Sequence, residues 1–191
     1  MAKDMPNKVS IRLMSGGHTF SNRDVELISG AGDDAVVEIV THKTVLRPEQ
    51  GFDRDSAYID LEATGYVVDN NEVVVCSRAH SGRVAVMAVS AKCVEAIEAL
   101  EVDVAYTSPL LTGEDLAEGS DIALYDDVLY VRVYKEGLRF AEAMLVKCDE
   151  DILFYLLSIH QVYDIYNMYA RAIGDVKRLN KVCGKLFKTK L

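Results

Sequence analysis

The stretch from Asp121 to Asp175 constrains the fold most, because the spacing of its apolar residues changes once, from the period of a strand to that of a helix. In Ile122–Tyr125, Val128–Tyr134 and Leu138–Val146 apolar side chains recur at every second position. The connections Asp126-Asp127 and Lys135-Glu136-Gly137 are too short for a crossover, so they predict antiparallel pairing. From Asp149 the period turns helical, with Ile152, Tyr155, Leu156, Ile159, Tyr163 and Tyr166 on one face. Asp149, Glu150 and Asp151 place carboxylates at the positive end of that helix dipole. A strand beginning at Tyr169 follows. The order β-β-β-α-β names an architecture and no reaction.

Preceding that stretch, "KVSIRLM" and "HTFSN" flank Ser15-Gly16-Gly17 and read as a hairpin with a glycine turn, and "VVEIVTHKTVL" carries a break at Thr41-His42. A short helix is expected over Asp55–Glu62. Glu72–Cys76 and Arg83–Val89 are β-branched runs around the polar "SRAHSG" and predict a second hairpin. Ser90 stands as the cap of a helix over Ala91–Leu100, and Val102–Tyr106 reads as a buried strand. The glycines and acids of "LLTGEDLAEGS" mark a boundary between lobes at 1–118 and 119–191. A last amphipathic helix is expected over Asp175–Lys190. The fold class is α/β with mixed sheets.

The chain of 191 residues has a net charge of −9, which argues against nucleic acid as a partner, since phosphate binding needs a positive surface. From Asp175 onward six Lys or Arg stand against one acid, so the tail carries +5 and the remainder −14. No apolar run suits a bilayer span, and "MAKDMPNK" lacks the apolar segment of a signal peptide, so a cytoplasmic protein without integral membrane association is expected. Cys76, Cys93, Cys148 and Cys183 are far apart and predict reduced thiols in apolar surroundings.

Two short clusters have a chemical reading beside a plain one. Ser15, Gly16, Gly17, His18 and Thr19 can cradle phosphate, or simply make a glycine turn. Asp126 and Asp127 can hold Mg²⁺ with their oxygens, or serve as ordinary turn residues. Gly30 and Gly32 before Asp33-Asp34 follow no strand-to-helix junction. His18, His42, His80 and His160 lack a second ligand at metal spacing, and His160 reads as a helix-surface residue. No complete nucleotide-binding or hydrolase motif is present, so no catalytic residue is assigned.

"LYVRVYKEGLRFAEAMLVKCDEDILFYLLSIHQVYDI", with "VVEIVTHKTVLRPEQGF", "VAVMAVSAKCVEAI" and "AIGDVKRL", resembles the bacterial family known as domain of unknown function 3822. That resemblance runs from Val9 to about Leu186. It implies the two-lobed, ribonuclease H-like fold of the actin-like ATPases, each lobe led by a β-hairpin whose turn would hold nucleotide phosphate. Here the first turn would be Met14–Ser21, with glycines and no acid, and the second Leu124–Tyr130, with two acids and no glycine. The second lobe also ends at a helix where the actin-like plan adds a strand, so it is expected to be shortened, leaving an open edge over Tyr166–Ala172. The expectation is a non-catalytic interaction or scaffold module that binds a protein partner or itself. The alternative is an ATPase using Mg-ATP between the lobes, with Ser15, Gly16, Gly17, Asp126 and Asp127 at the nucleotide.

Overall fold

A computed structural model of the chain describes residues 10–14, 35–101 and 103–187. They fall into two compact units, Met1–Leu111 and Thr112–Leu191.

In the second unit, β7 (Glu118–Tyr125), β8 (Val128–Lys135) and β9 (Leu138–Leu145) form an antiparallel meander, then α3 (Asp149–Tyr163) returns the chain to β10 (Ala170–Gly174), which pairs with β7 in parallel. The sheet order is β10-β7-β8-β9, and α4 (Val176–Cys183) follows. The parallel pairing follows from the helix, because a crossover element is needed to bring two strands side by side in the same direction. One sheet face offers Ile122, Leu124, Leu129, Val131 and Val133. Ile152, Leu156 and Ile159 of α3 and Leu179 and Cys183 of α4 pack into the same core. Strand alternation and helical spacing thus meet on one surface, the condition for a two-layer core.

In the first unit, β1 (Ser10–Met14), β2 (Ala35–Val40) and β6 (Val104–Thr107) form a parallel sheet in the order β1-β2-β6. β3 (Thr44–Pro48), β5 (Arg83–Ser90) and β4 (Glu72–Cys76) form an antiparallel sheet with β5 in the centre. β5 is buried on both faces. Its Ala85, Met87 and Val89 join Cys93 and Ile97 of α2 (Ala91–Glu98), while Val86 and Ala88 join Ala57 and Leu61 of α1 (Ala57–Ala63). That explains why "RVAVMAVS" reads as an unbroken apolar run. The break at Thr41-His42 separates two strands of different sheets, bridged by Thr44 Oγ1 donating to the Thr41 carbonyl at 2.7 Å.

Several boundaries differ from the sequence reading. Ser90 precedes α2 and makes no side-chain cap. β10 begins at Ala170, because the backbone from Ile165 to Asn167 first makes a 3-10 turn that buries Tyr166. Tyr155 and Tyr163 are only half-buried at the margin of the core. The last helix stops at Cys183, where Gly184 ends it, and does not reach Lys190. Cys93 and Cys183 are buried and Cys76 is half-buried, yet Cys148 is exposed. It precedes α3, where its side chain takes the Asp151 N–H while the Asp151 carboxylate takes the Cys148 N–H. The "HTFSN" half of the first hairpin lies outside the described residues.

Candidate functional site

Asp126 and Asp127 form the two-residue turn between β7 and β8, with Asp126 at φ +50°. A turn of this length needs positive φ, and aspartate tolerates it better than most residues do. Both residues are exposed, and neither carboxylate has an ion-pair partner among the described residues. Their carbonyls are engaged: Val146 N donates to Asp127 at 2.7 Å and Arg178 Nη1 to Asp126 at 3.3 Å. Arg178 Nε also donates to Asp149 Oδ1 at 2.7 Å, so one guanidinium joins the turn, the start of α3 and α4.

Close beside the turn is a glycine that the sequence reading did not place there. Gly174 ends β10 at φ +75°, where a Cβ would overlap the Leu124 carbonyl oxygen and sit 2.8 Å from the Tyr125 ring. Asp175 follows, its N–H donating to the same Leu124 carbonyl at 2.8 Å and its side chain capping α4 through Arg178 N at 2.9 Å. Gly174 thus comes beside the Asp126-Asp127 turn from a strand 50 residues later in the chain, through its pairing with Leu124. The strand-Gly-Asp-helix junction in "AIGDVKRL" was the available signal.

Two exposed carboxylates in one turn suit Mg²⁺, which keeps several of its waters and takes one or two carboxylates. No cluster of three metal-ligating side chains occurs among the described residues. Ser15, Gly16, Gly17, His18 and Thr19 lie outside the described residues, as do Gly30, Gly32, Asp33 and Asp34. His160 is half-buried against Tyr166, the rings stacked at 4.3 Å, and its Nδ1 accepts the Tyr166 N–H at 3.4 Å. That is the role of a packed helix histidine.

A buried charge cluster is the second group that periodicity did not reveal. Asp121 on β7 lies in register between Arg132 on β8 and Arg171 on β10. Its Oδ2 accepts from Arg132 Nη2 at 2.7 Å and Arg171 Nη2 at 2.9 Å, and its Oδ1 from Arg171 Nε at 2.7 Å. The same arginines donate to the Thr112 and Glu114 carbonyls at 2.8 and 3.0 Å, and Tyr134 Oη reaches Asp115 at 3.3 Å. The cluster ties the segment entering the unit to the sheet face opposite the helices. Burial pushes the Tyr134 hydroxyl up to about 12, with the Asp115 and Asp121 carboxylates acting in the same direction and Arg132 against it.

With this geometry in view, the chain has the actin-like ATPase fold. It is similar to a solved protein of Bacteroides thetaiotaomicron described as having an actin-like ATPase fold and unknown function, with 12% identity and a TM-score of 0.65, covering 83% of this chain and 68% of that one. A weaker likeness, at 13% identity and a TM-score of 0.45 over 86% of this chain and 81% of the other, is to the cytoplasmic domain of EpsL, an inner membrane component of the type II secretion system of Vibrio cholerae. The sequence matches no family model and no curated protein. No described helix is long and apolar enough to cross a membrane.

Proposed function

We propose that this chain is a non-catalytic interaction module on an actin-like ATPase fold, akin to the family of domain of unknown function 3822 and working in the bacterial cytoplasm. The observation that carries this reading is the edge at β10. Among the described residues no strand pairs with its outer side. Parallel ladders use alternate residues, and Tyr169 O and Asp175 N are both bonded to β7. Ala172 therefore directs its N–H and carbonyl to the unpaired side, where an extended segment can add as a strand.

Ala172→Pro tests this, because it removes the outward donor while leaving the ladder to β7 intact, a placement that edge strands accept. Concentration-dependent self-association in sedimentation velocity should be lost in the variant. A wild-type chain that stays monomeric and recovers the same proteins in pull-downs as Ala172→Pro would count against the reading.

The exposed Asp126-Asp127 pair supports the rival, a nucleotide-binding ATPase. Mg-ATP at ~100 times its dissociation constant would stabilise the chain by ~2.7 kcal/mol. For a domain of this size that raises the melting temperature by roughly 5 to 10 °C. Such a rise, abolished by Asp126→Asn with Asp127→Asn, would favour the ATPase. No shift would leave the interaction module.

A further inference from the structure

From Ile152 to Tyr163, α3 contains no Asp, Glu, Lys or Arg. Ile152, Leu156 and Ile159 explain part of this, since they are buried in the core. The opposite side is also apolar, although it faces solvent: Phe154 is 65%, Leu157 46% and Val162 72% exposed. These residues, with Ser158 and Gln161, recur at the three- and four-residue spacing of one continuous helix face. A surface helix ordinarily places its charges there. Ser158 makes no polar demand on a partner, because its Oγ donates to the Phe154 carbonyl at 2.8 Å.

Acids stand at both ends of this stripe. Glu150 lies one turn before Phe154, Asp151 beside it, and Asp164 follows Val162. Of the nearby cations, Lys147 is exposed just before the helix and acts on Asp151, while Arg178 and Lys181 are on α4 and engage Asp149, on the flank facing that helix; Glu150 and Asp164 are the acids that set the charge at the two ends. A second copy of the chain fits poorly. A two-fold pairing with antiparallel helices sets Glu150 opposite Asp164, and a parallel one sets Glu150 against itself, on a chain already at −9. A partner with basic residues at both ends of an apolar stripe satisfies both ends at once.

We propose that the Phe154-Leu157-Val162 face is a docking surface for an amphipathic helix of another protein whose apolar anchors are bracketed by Lys or Arg. This deepens the interaction-module reading, on which it rests, by adding a second surface and the chemistry of its occupant. Binding follows the helix-in-groove mode, in which anchors at i, i+3 or i+4 and i+7 supply the energy.

The test uses the full chain and two labelled synthetic helices with leucines at that spacing, one with lysines elsewhere and one with glutamates. The Leu/Lys helix should bind, the Leu/Glu helix at least ~10-fold more weakly, and Phe154→Ser with Leu157→Ser should weaken the Leu/Lys helix by at least ~10-fold. Both replaced residues are exposed, so the variant's thermal unfolding should match wild type. Undiminished binding by the double variant, or no binding at all, overturns the proposal. So does self-association that the double variant abolishes, which would make the occupant a second copy. Loss of binding in Ala172→Pro with retention in the double variant would overturn this surface while leaving the interaction-module reading intact. Failure of both surfaces would remove that reading as well.

Discussion

Replacing Asp121 by Asn should be among the most damaging single changes in the second unit. The side chains of Asp121 and Arg132 are 3% and 4% exposed, whereas that of Arg171 is 32% exposed. Asn keeps the volume and removes the charge, taking from the buried Arg132 the carboxylate to which its Nη2 donates at 2.7 Å. Breaking a buried pair in this way costs ~3 to 5 kcal/mol, a large share of the ~5 to 15 kcal/mol that holds a typical domain. With a urea dependence of ~2 kcal/mol per molar, the unfolding midpoint should fall by roughly 2 M, read by circular dichroism. Arg171→Met should cost only ~1 kcal/mol, because its partner retains Arg132 and its own head group is already in contact with water. The reasoning fails if Asp121→Asn moves the midpoint by less than ~0.5 M, or if Arg171→Met is equally costly. Replacing the whole cluster, with Asp121→Leu, Arg132→Met and Arg171→Leu together, should be less damaging than Asp121→Asn alone, since the carboxylate and both guanidiniums are removed together.

Gly174→Ala should destabilise by at least ~2 kcal/mol in the same assay, combining left-handed backbone with overlap on the Leu124 carbonyl, and a neutral result would refute the close approach. A thiol reagent should modify one cysteine quickly in the native chain, and Cys148→Ser should remove that phase while raising the melting temperature, because a hydroxyl caps a helix better than a thiol. Burial pushes Tyr166 up to about 12, as it does Tyr134. Both then hold in the folded state protons that the unfolded chain releases from pH 10, so stability should be flat below that value and fall as pH rises toward 12. Ultraviolet difference titration should show a late tyrosine step that Tyr134→Phe with Tyr166→Phe abolishes; a step that persists would place it on other residues.

The second unit was legible because its elements follow directly one after another. Strands of period two joined by Asp126-Asp127 and Lys135-Glu136-Gly137 have only one way to pair, and the acids of 149–151 mark where the helix opens. The first unit was read less completely, since β3 pairs with β5 across a helix and another strand, and such pairing leaves no local signal. Only the tertiary structure brought Gly174 and Arg178 to the Asp126-Asp127 turn, because parallel pairing of β10 with β7 joins positions far apart in the chain. Only register revealed Asp121, Arg132 and Arg171 as one group, each being an isolated charge in its own strand. Periodicity picked out the covered side of α3, where Ile152, Leu156 and Ile159 are buried, but gave no reason for Phe154, Leu157 and Val162 to be apolar on the side that stays in water. Local spacing therefore determined the elements and their order, while long-range pairing decided which polar groups meet and which apolar ones remain in water.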